Sequence, residues 1–251
     1  MIVEIEINST RYKADLSRPL DISIPLSNDG SPIAYGAAPF NAKPFSSEGF
    51  IGSINEGSPV NFYDLSINPH GNGTHTESVL HVDTRGLSIN ETLKKFHFIC
   101  QVITIEPQIN EAGDLIITAK EVKGRILNNK DINALAIRTI PNEETKKKKN
   151  YTKTNPCYLS EEAINCINDE GIEHLLLDLP SVDKEIDGGR LVGHKIFWKT
   201  QDTIQKGKTI TEMIYIDDEI EDGLYLLNLQ IISVEIDASP SKPILYKIFN
   251  Y

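Results

Sequence analysis

The amino-acid sequence predicts a single mixed α/β domain rich in sheet, and three observations carry that expectation. The chain opens on a period of two, with Val3, Ile5 and Ile7 alternating with Glu4 and Glu6, the pattern of a strand with one buried face. Its middle holds β-branched runs, Ile99-Cys-Gln-Val-Ile-Thr-Ile105 and Leu115-Ile-Ile-Thr118, separated by Pro, Asn and Gly. One capped amphipathic helix then runs directly into the apolar segment His174-Leu-Leu-Leu-Asp-Leu179, as a crossover helix runs into a strand buried on both faces.

Local chemistry accounts for the elements in turn. After Asn8-Ser9 a second polar-apolar segment starts at Arg11, so the first two strands form a hairpin. Residues 19–69 carry more than half of the prolines and many Gly, Ser and Asn residues, which excludes long helices and leaves irregular structure with functional loops and short strand-like pieces such as Asp21-Ile-Ser-Ile24. Ala134-Leu-Ala-Ile-Arg138 is a further core strand. Ser160 N-caps a helix whose first turn holds Glu161 and Glu162, whose apolar face is Ala163, Ile164 and Ile167, and whose end is marked by Gly171. The last third returns to strands at 210–216, 224–236 and 244–249, broken by Gly223, Pro240 and Pro243. No internal repeat or compositional break marks a linker, so residues 1–251 are expected to form one domain.

Hydrophobic residues make up 39% of the 251 positions and charged residues 24%, which excludes a disordered or collagenous chain. With 25 Lys+Arg against 36 Asp+Glu the formal net charge is −11, and nucleic acid is excluded as a partner because polyphosphate binding rests on cationic neutralisation. The one basic run, Lys146, Lys147, Lys148 and Lys149, reads as a solvated loop rather than a phosphate site. Cys100, Cys157 and Cys166 form no C-x-x-C pair, which fits a reducing cytoplasm. Glutamates interrupt the N-terminus where a secretory leader needs an apolar run, and no stretch approaches the roughly 20 apolar residues of a membrane span. A soluble cytoplasmic protein without membrane association is expected, and the N-x-[ST] matches at Asn8, Asn72, Asn90 and Asn150 are then coincidental.

Three of the six histidines fall within twelve residues, in Asn68-Pro-His70-Gly-Asn-Gly73-Thr74-His75-Thr-Glu77-Ser-Val-Leu-His81. In an extended segment His75 and Glu77 point to the same side, so an imidazole nitrogen and a carboxylate oxygen converge on one cation at about 2.0–2.2 Å. Gly71 and Gly73 free the backbone to bring His70 round to join them, with His81 a few residues beyond. Asp178 and Asp183 flank Pro180-Ser181 at the end of a buried strand, where α/β sheets place active-site loops; a helix cap or turn is the equal alternative. Trp198, Tyr35, Phe40, Phe45 and Phe50 read as core before they read as pocket.

At this point the chain resembles the cyclase-type metal-dependent hydrolases, the family that includes bacterial kynurenine formamidase and isatin hydrolase, whose signature is His-x-Gly-Thr-His-x-Asp-x-Pro-x-His. Gly73-Thr74-His75-x-Glu77-x-x-x-His81 matches most of it. Asp21-Ile-Ser-Ile-Pro25-Leu26, Tyr35-Gly-Ala-Ala-Pro39-Phe40, Leu159-Ser-Glu-Glu-Ala163, Asp178-Leu-Pro-Ser181-Val-Asp183, His194, Glu212 and Asn228-Leu229 follow in the family's order, so the resemblance covers nearly the whole chain. Three departures stand out. The family's first histidine falls at Gly71, one residue after His70; its Asp is Glu77; and its Pro is Val79, which lifts a backbone restraint.

The resemblance implies a mixed-sheet domain of the swivelling β/β/α type and an arylformamidase-like hydrolase acting on an amide, formamide or lactam C–N bond of a small molecule, with esters and lactones open. It implies a divalent cofactor, zinc or manganese, as one or two ions that polarise a carbonyl and activate water. The implied ligands are His70, His75 and Glu77, completed by His194 and Glu212, with His81 as general acid/base and a homodimer or larger homo-oligomer as the assembly. Two other readings stay open at this stage. One is a degenerate member that binds metal or a small ligand without turnover; the other is an interaction domain, which leaves the histidine cluster without a purpose.

Overall fold

A computed structural model describes residues 1–249. In it the N-terminal alternation becomes a hairpin, β1 (Ile2–Ile7) pairing antiparallel with β2 (Thr10–Asp15) across Asn8 and Ser9, which sit at φ 48° and 70°. Left-handed residues at both turn positions give a two-residue loop the twist of its flanking strands.

The main sheet adds β3 (Leu20–Asp21), β4 (His75–Glu77), β5 (His97–Ile105), β6 (Ala134–Thr139), β7 (His174–Leu177), β8 (Thr209–Glu212), β9 (Gly223–Ile231) and β10 (Ala238–Phe249). Strands β5 to β8 lie side by side and parallel, in chain order. β9 and β10 extend the sheet antiparallel beyond β5, while β4 pairs antiparallel with β8 at the other edge. β4 also pairs with β10, and that contact closes seven strands into a mixed barrel. The remaining length of β10 carries β2 and β3.

Side chains alternate between the two faces of this sheet, so each strand feeds two cores. Phe98, Cys100, Val102, Ala134, Ala136, Leu176, Tyr225 and Leu227 pack into one cluster, and the closure of the sheet makes it the barrel interior. Ile99, Ile103, Leu135, Ile137, Leu175, Leu177 and Ile210 face outward, where the helices cover them. Those helices are α1 (Ile89–Thr92), α2 (Ala119–Lys123), α3 (Glu161–Asp169) and α4 (Val192–Phe197), of which α2, α3 and α4 pack side by side while Ile89 of α1 joins the inner cluster. Ser160 caps α3 as expected, its hydroxyl accepting the Ala163 N–H at 3.1 Å, and Gly171 ends the segment at φ 78°. Trp198, Phe197 and Ile164 are buried between α3, α4 and the sheet, so Trp198 belongs to the core.

Two expectations need correction. The prolines taken to break the final strands do not: β10 runs through both Pro240 and Pro243. Pro243 lies where one edge of β10 passes from β4, paired at residues 238–240, to β3, paired at residues 244–245, so no regular ladder partner demands its missing N–H. The lysine run is likewise only partly solvated. It forms a 3-10 turn, Glu144–Lys148, in which Lys146 reaches inward to Asp178 at 2.7 Å and to the Thr139 carbonyl at 2.7 Å.

Residues 19–69 are irregular as expected, but they contain two small hairpin pairings, Asn41–Pro44 with Tyr63–Ser66 and Ser46–Ser47 with Phe50–Ile51. Phe45 stacks near Phe50 and Phe62 there, while Ile54, Val60, Phe62, Tyr63 and Leu65 stay exposed. The three cysteines are buried free thiols. Among the described residues no helix is long and apolar enough to cross a membrane.

Asp178 is fully buried, and burial pushes its carboxyl up despite Lys146 and the Thr139 N–H and hydroxyl that bond it. Removing the cation leaves an uncompensated buried charge, which costs about 3–5 kcal/mol. Lys146→Ala should therefore lower the melting temperature markedly. Because an acid whose folded value is raised loses stability as pH climbs past its ordinary range, the deficit should be larger at pH 8 than at pH 5. Thermal melts at the two pH values check this, and an equal deficit at both would locate the loss elsewhere.

Candidate metal centre

The three residues of β4 place the densest polar chemistry of the molecule. His75 and Glu77 share one face and Thr76 takes the other, where its hydroxyl meets that of Thr211 at 2.8 Å. Antiparallel register sets Glu212 of β8 directly opposite His75, so Glu212 joins the same face without any help from sequence spacing. Thr74, just before the strand, is tied on both sides. Its hydroxyl accepts the Ile24 N–H at 2.8 Å and donates to the Met213 carbonyl at 2.6 Å.

The displaced histidine has a steric cause. A Cβ at Gly71 would lie 2.3 Å from the Ala37 Cβ, so this position holds no side chain, and His70 supplies the imidazole instead. The turn brings its ring within 3.1 Å of Glu77. His194 arrives from α4, whose N-terminus is capped from a distance. Asp183 accepts the Gly193 N–H at 2.6 Å and the His194 N–H at 3.1 Å, and the same carboxylate holds His194 Nδ1 at 2.5 Å. Both readings of Asp183 made from sequence thus meet in one residue, which caps a helix and faces the site.

Four imidazoles converge here, and each has its outer nitrogen on an oxygen acceptor. His75 Nδ1 bonds the Gly73 carbonyl at 3.1 Å, His194 Nδ1 bonds Asp183, and His70 Nε2 and His81 Nδ1 both bond Asp237, at 2.8 and 3.0 Å. The inner nitrogens then face two carboxylates. His194 Nε2 lies 3.0 Å from Glu77, His75 Nε2 lies 3.5 Å from Glu212, His70 Nδ1 lies 3.1 Å from Glu77, and His81 Nε2 lies 3.9 Å from Glu77. His75 Nε2 and both Glu77 oxygens are buried without a hydrogen-bond partner. Unpartnered buried acceptors are costly, and a cation satisfies them together. Two groups have ligand spacing, His75 with Glu77 and Glu212, and His70 with Glu77 and His81, so Glu77 belongs to both.

The centre forms the floor of a cavity of about 500 Å³ whose walls include Tyr35, Ser181, Ile186 and Leu191. The Tyr35 hydroxyl donates to the Pro180 carbonyl at 2.8 Å, whereas Phe45 and Phe50 lie on the exposed arm. The other two histidines lie apart. His174 is buried against Phe98 and pushed down to about 3 by desolvation, and His97 bonds Asn228. Among the residues facing the centre, Asp237 escaped the sequence reading. A single acid between Ile236 and Ala238 carries no spacing signal, and only the pairing of Ala238 with Glu77 brings it there.

The sequence profile of the family described as "Putative cyclase" matches residues 14–184, and the chain belongs to that family. Kynurenine formamidase from Delftia acidovorans is 25% identical over 221 residues, covering 86% of this chain and 95% of its own. Among solved structures, isatin hydrolase A from Labrenzia aggregata superposes with a TM-score of 0.66 at 18% identity, over 91% of this chain and 93% of that one. A predicted metal-dependent hydrolase from Bacillus stearothermophilus does so with a TM-score of 0.64 at 16% identity, over 91% and 98%. These likenesses bear out the mixed α/β fold expected from sequence.

Burial disfavours charge on Glu77, His70 and His194, yet their mutual pairing wins. Glu77 is held well below the usual carboxylate range because His194 and His70 outweigh its desolvation, and His194 is raised correspondingly. Desolvation would lower His70, but its hydrogen bond to Asp237 and the negative charge of Glu77 close by raise it to about 10. A raised histidine contributes its full stabilisation below its ordinary value near 6.5 and loses it as pH climbs toward 10. Metal-stripped protein should accordingly lose several degrees of melting temperature between pH 6.5 and 9.5. Any divalent cation that these groups take up should release protons, because ligands bind deprotonated. Melts of chelator-treated protein and proton release in weakly buffered solution check both, and a melt that stays flat or rises with pH contradicts the pairing.

Proposed function

We propose that this chain hydrolyses an amide-type C–N bond of a small molecule, a formamide or a lactam, at a divalent cation held on the floor of the cavity. The observation that supports it most is the set of four imidazoles whose outer nitrogens are all held by oxygen acceptors while their inner nitrogens face Glu77 and Glu212. That is the arrangement of histidine ligands already oriented by their outer partners. Kynurenine formamidase and isatin hydrolase, among the similar proteins, give the formamide and lactam classes their place in the reading.

In this reading His75, Glu77, Glu212 and His194 hold the cation, and His70 with Glu77 completes the set or begins a second position. Zinc or manganese suits such a mixed imidazole and carboxylate set. Bound there, the ion supplies Lewis acidity toward a carbonyl oxygen and toward water. The chain's own residues do the rest. His81 stands at the solvent side of the centre, its Nδ1–H held by Asp237, which leaves Nε2 to take a proton from water and return one to the leaving nitrogen. The cavity walls of Tyr35, Ile186 and Leu191 enclose a small organic molecule and exclude bulk water. In this reading His70, whose Nδ1 lies 3.1 Å from Glu77, supplies the imidazole missing at Gly71, which speaks against a non-catalytic member.

The exposed apolar arm supports a homodimer, since Ile54, Val60, Phe62, Tyr63 and Leu65 form a patch that a symmetric partner would cover. Residues 1–251 act in this reading as one catalytic unit, and three buried free thiols suit a reducing cytoplasm.

Ligand and proton carrier are separable by experiment. His75→Ala and Glu77→Ala should each abolish stoichiometric zinc or manganese and turnover together. His81→Ala should keep its metal and lower kcat by about 10²–10⁴-fold, the usual contribution of a positioned proton carrier. Metal analysis beside hydrolysis of a panel of aryl formamides and lactams decides it. Loss of metal in His81→Ala as complete as in His75→Ala would make His81 a ligand, and metal-loaded protein inert on the whole panel would return the non-catalytic reading. For assembly, light scattering should give about twice the 28.0 kDa chain mass, and a charge at Phe62 or Leu65 should lower it. A wild-type mass of one chain sinks the dimer.

A further inference from the structure

Asp237 has two separate attachments. Its backbone carbonyl accepts the Ser78 N–H at 2.9 Å and the Ser78 hydroxyl at 3.2 Å, which fastens the start of β10 to the end of β4. Its side chain makes a different set of bonds. One oxygen, Oδ2, accepts from His70 Nε2 at 2.8 Å and from His81 Nδ1 at 3.0 Å, and the two rings lie 4.1 Å apart, centre to centre. Among the described residues no other group bonds either of those nitrogens.

We infer that Asp237 is the positioning residue for both histidines, a single carboxylate oxygen that fixes the tautomer and ring angle of His70 and His81 as one unit. The inference deepens the metal-centre reading and rests on it. With a cation bound, a ligand imidazole has given up its second proton and is neutral, and the nitrogen that donates to an acceptor leaves the lone pair on the other. Asp237 therefore makes His70 present Nδ1 and His81 present Nε2, and both face Glu77. His70 differs in this from His75 and His194, which present Nε2. Because one oxygen serves both rings, displacing either ring pulls on the bond that holds the other, so His70 and His81 are mechanically and electrostatically coupled. The backbone anchoring to Ser78 does not involve the carboxylate, so replacing the side chain leaves that anchoring in place.

The test compares wild type with Asp237→Ala, Asp237→Asn and Asp237→Glu in the full chain. Zinc affinity is measured by competition with a chromogenic chelator, and imidazole nitrogen spectra are recorded on zinc-loaded, 15N-histidine-labelled protein, with His70→Gln and His81→Gln used for assignment. Asp237→Ala should bind zinc about 10- to 100-fold more weakly, the usual cost of losing an outer partner of a ligand. It should also lose the Nε2–H signature of His70 and the Nδ1–H signature of His81, while the His75 and His194 signals stay. Asp237→Glu should recover affinity and signatures more than Asp237→Asn, since it keeps the charged acceptor. Unchanged affinity and unchanged spectra in Asp237→Ala overturn the inference while leaving the metal centre standing. Wild-type protein that takes up no zinc overturns the metal-centre reading itself. If Asp237→Ala does not fold, Asp237→Asn, which matches the native size, gives the deciding comparison.

Discussion

The structure depends on one short strand having both edges paired. β4 is three residues long, yet β8 bonds one side of it and β10 the other, so it serves at once as the seam of the barrel and as the platform of the centre. A three-residue strand at an open edge would fray. Held between two neighbours it fixes His75 and Glu77 to one face with the precision of the sheet, and the register of the same ladder delivers Glu212. Thr74 and Gly73 extend that fixation to the loop before it, where a Cβ on Gly73 would meet the Leu26 side chain at 2.8 Å.

A second constraint follows from what is gathered on that platform. Two buried carboxylates and the histidines around them would be unfavourable if each were solvated poorly and paired with nothing. The structure answers with an outer ring of acceptors, the Gly73 carbonyl, Asp183 and Asp237, and with the Val182 N–H, which donates to Glu212 at 3.2 Å. Asp183 bonds α4 as well as His194, so the helix and its histidine are set by the same carboxylate. Gly193 allows that approach, since a Cβ there would lie 2.6 Å from Ile164 and 2.9 Å from Asp183.

What could be read in the sequence, and what could not, divides along contact distance. The period of two that marks β1 also put His75 and Glu77 on one side, because alternation is a local property of extended backbone. The cap at Ser160 and the buried run after it were local too, and both hold. Glu212 and His194 had no spacing of their own and were placed by resemblance alone. Asp237 and the Lys146–Asp178 pair were missed because each depends on a pairing between distant segments, and nothing beside them in the chain announces it. Pro243 misled for the same reason: a proline breaks a strand only if a neighbour needs its N–H, and one edge of β10 passes from β4 to β3 at that point.

The closure of the barrel also sets a timetable. β4 lies in the first third of the chain, but its partners are residues 210–212 and 238–240, so both of its edges wait for segments near the far end. During synthesis from the N-terminus, the histidine-rich loop is made early and stays without its ladder until residues 210–212 and 238–240 have left the ribosome. The nascent segment carries three histidines and a glutamate but neither Glu212 nor His194, and none of the geometry that orients them. An assembled centre is therefore a sign that β10 has docked onto β4.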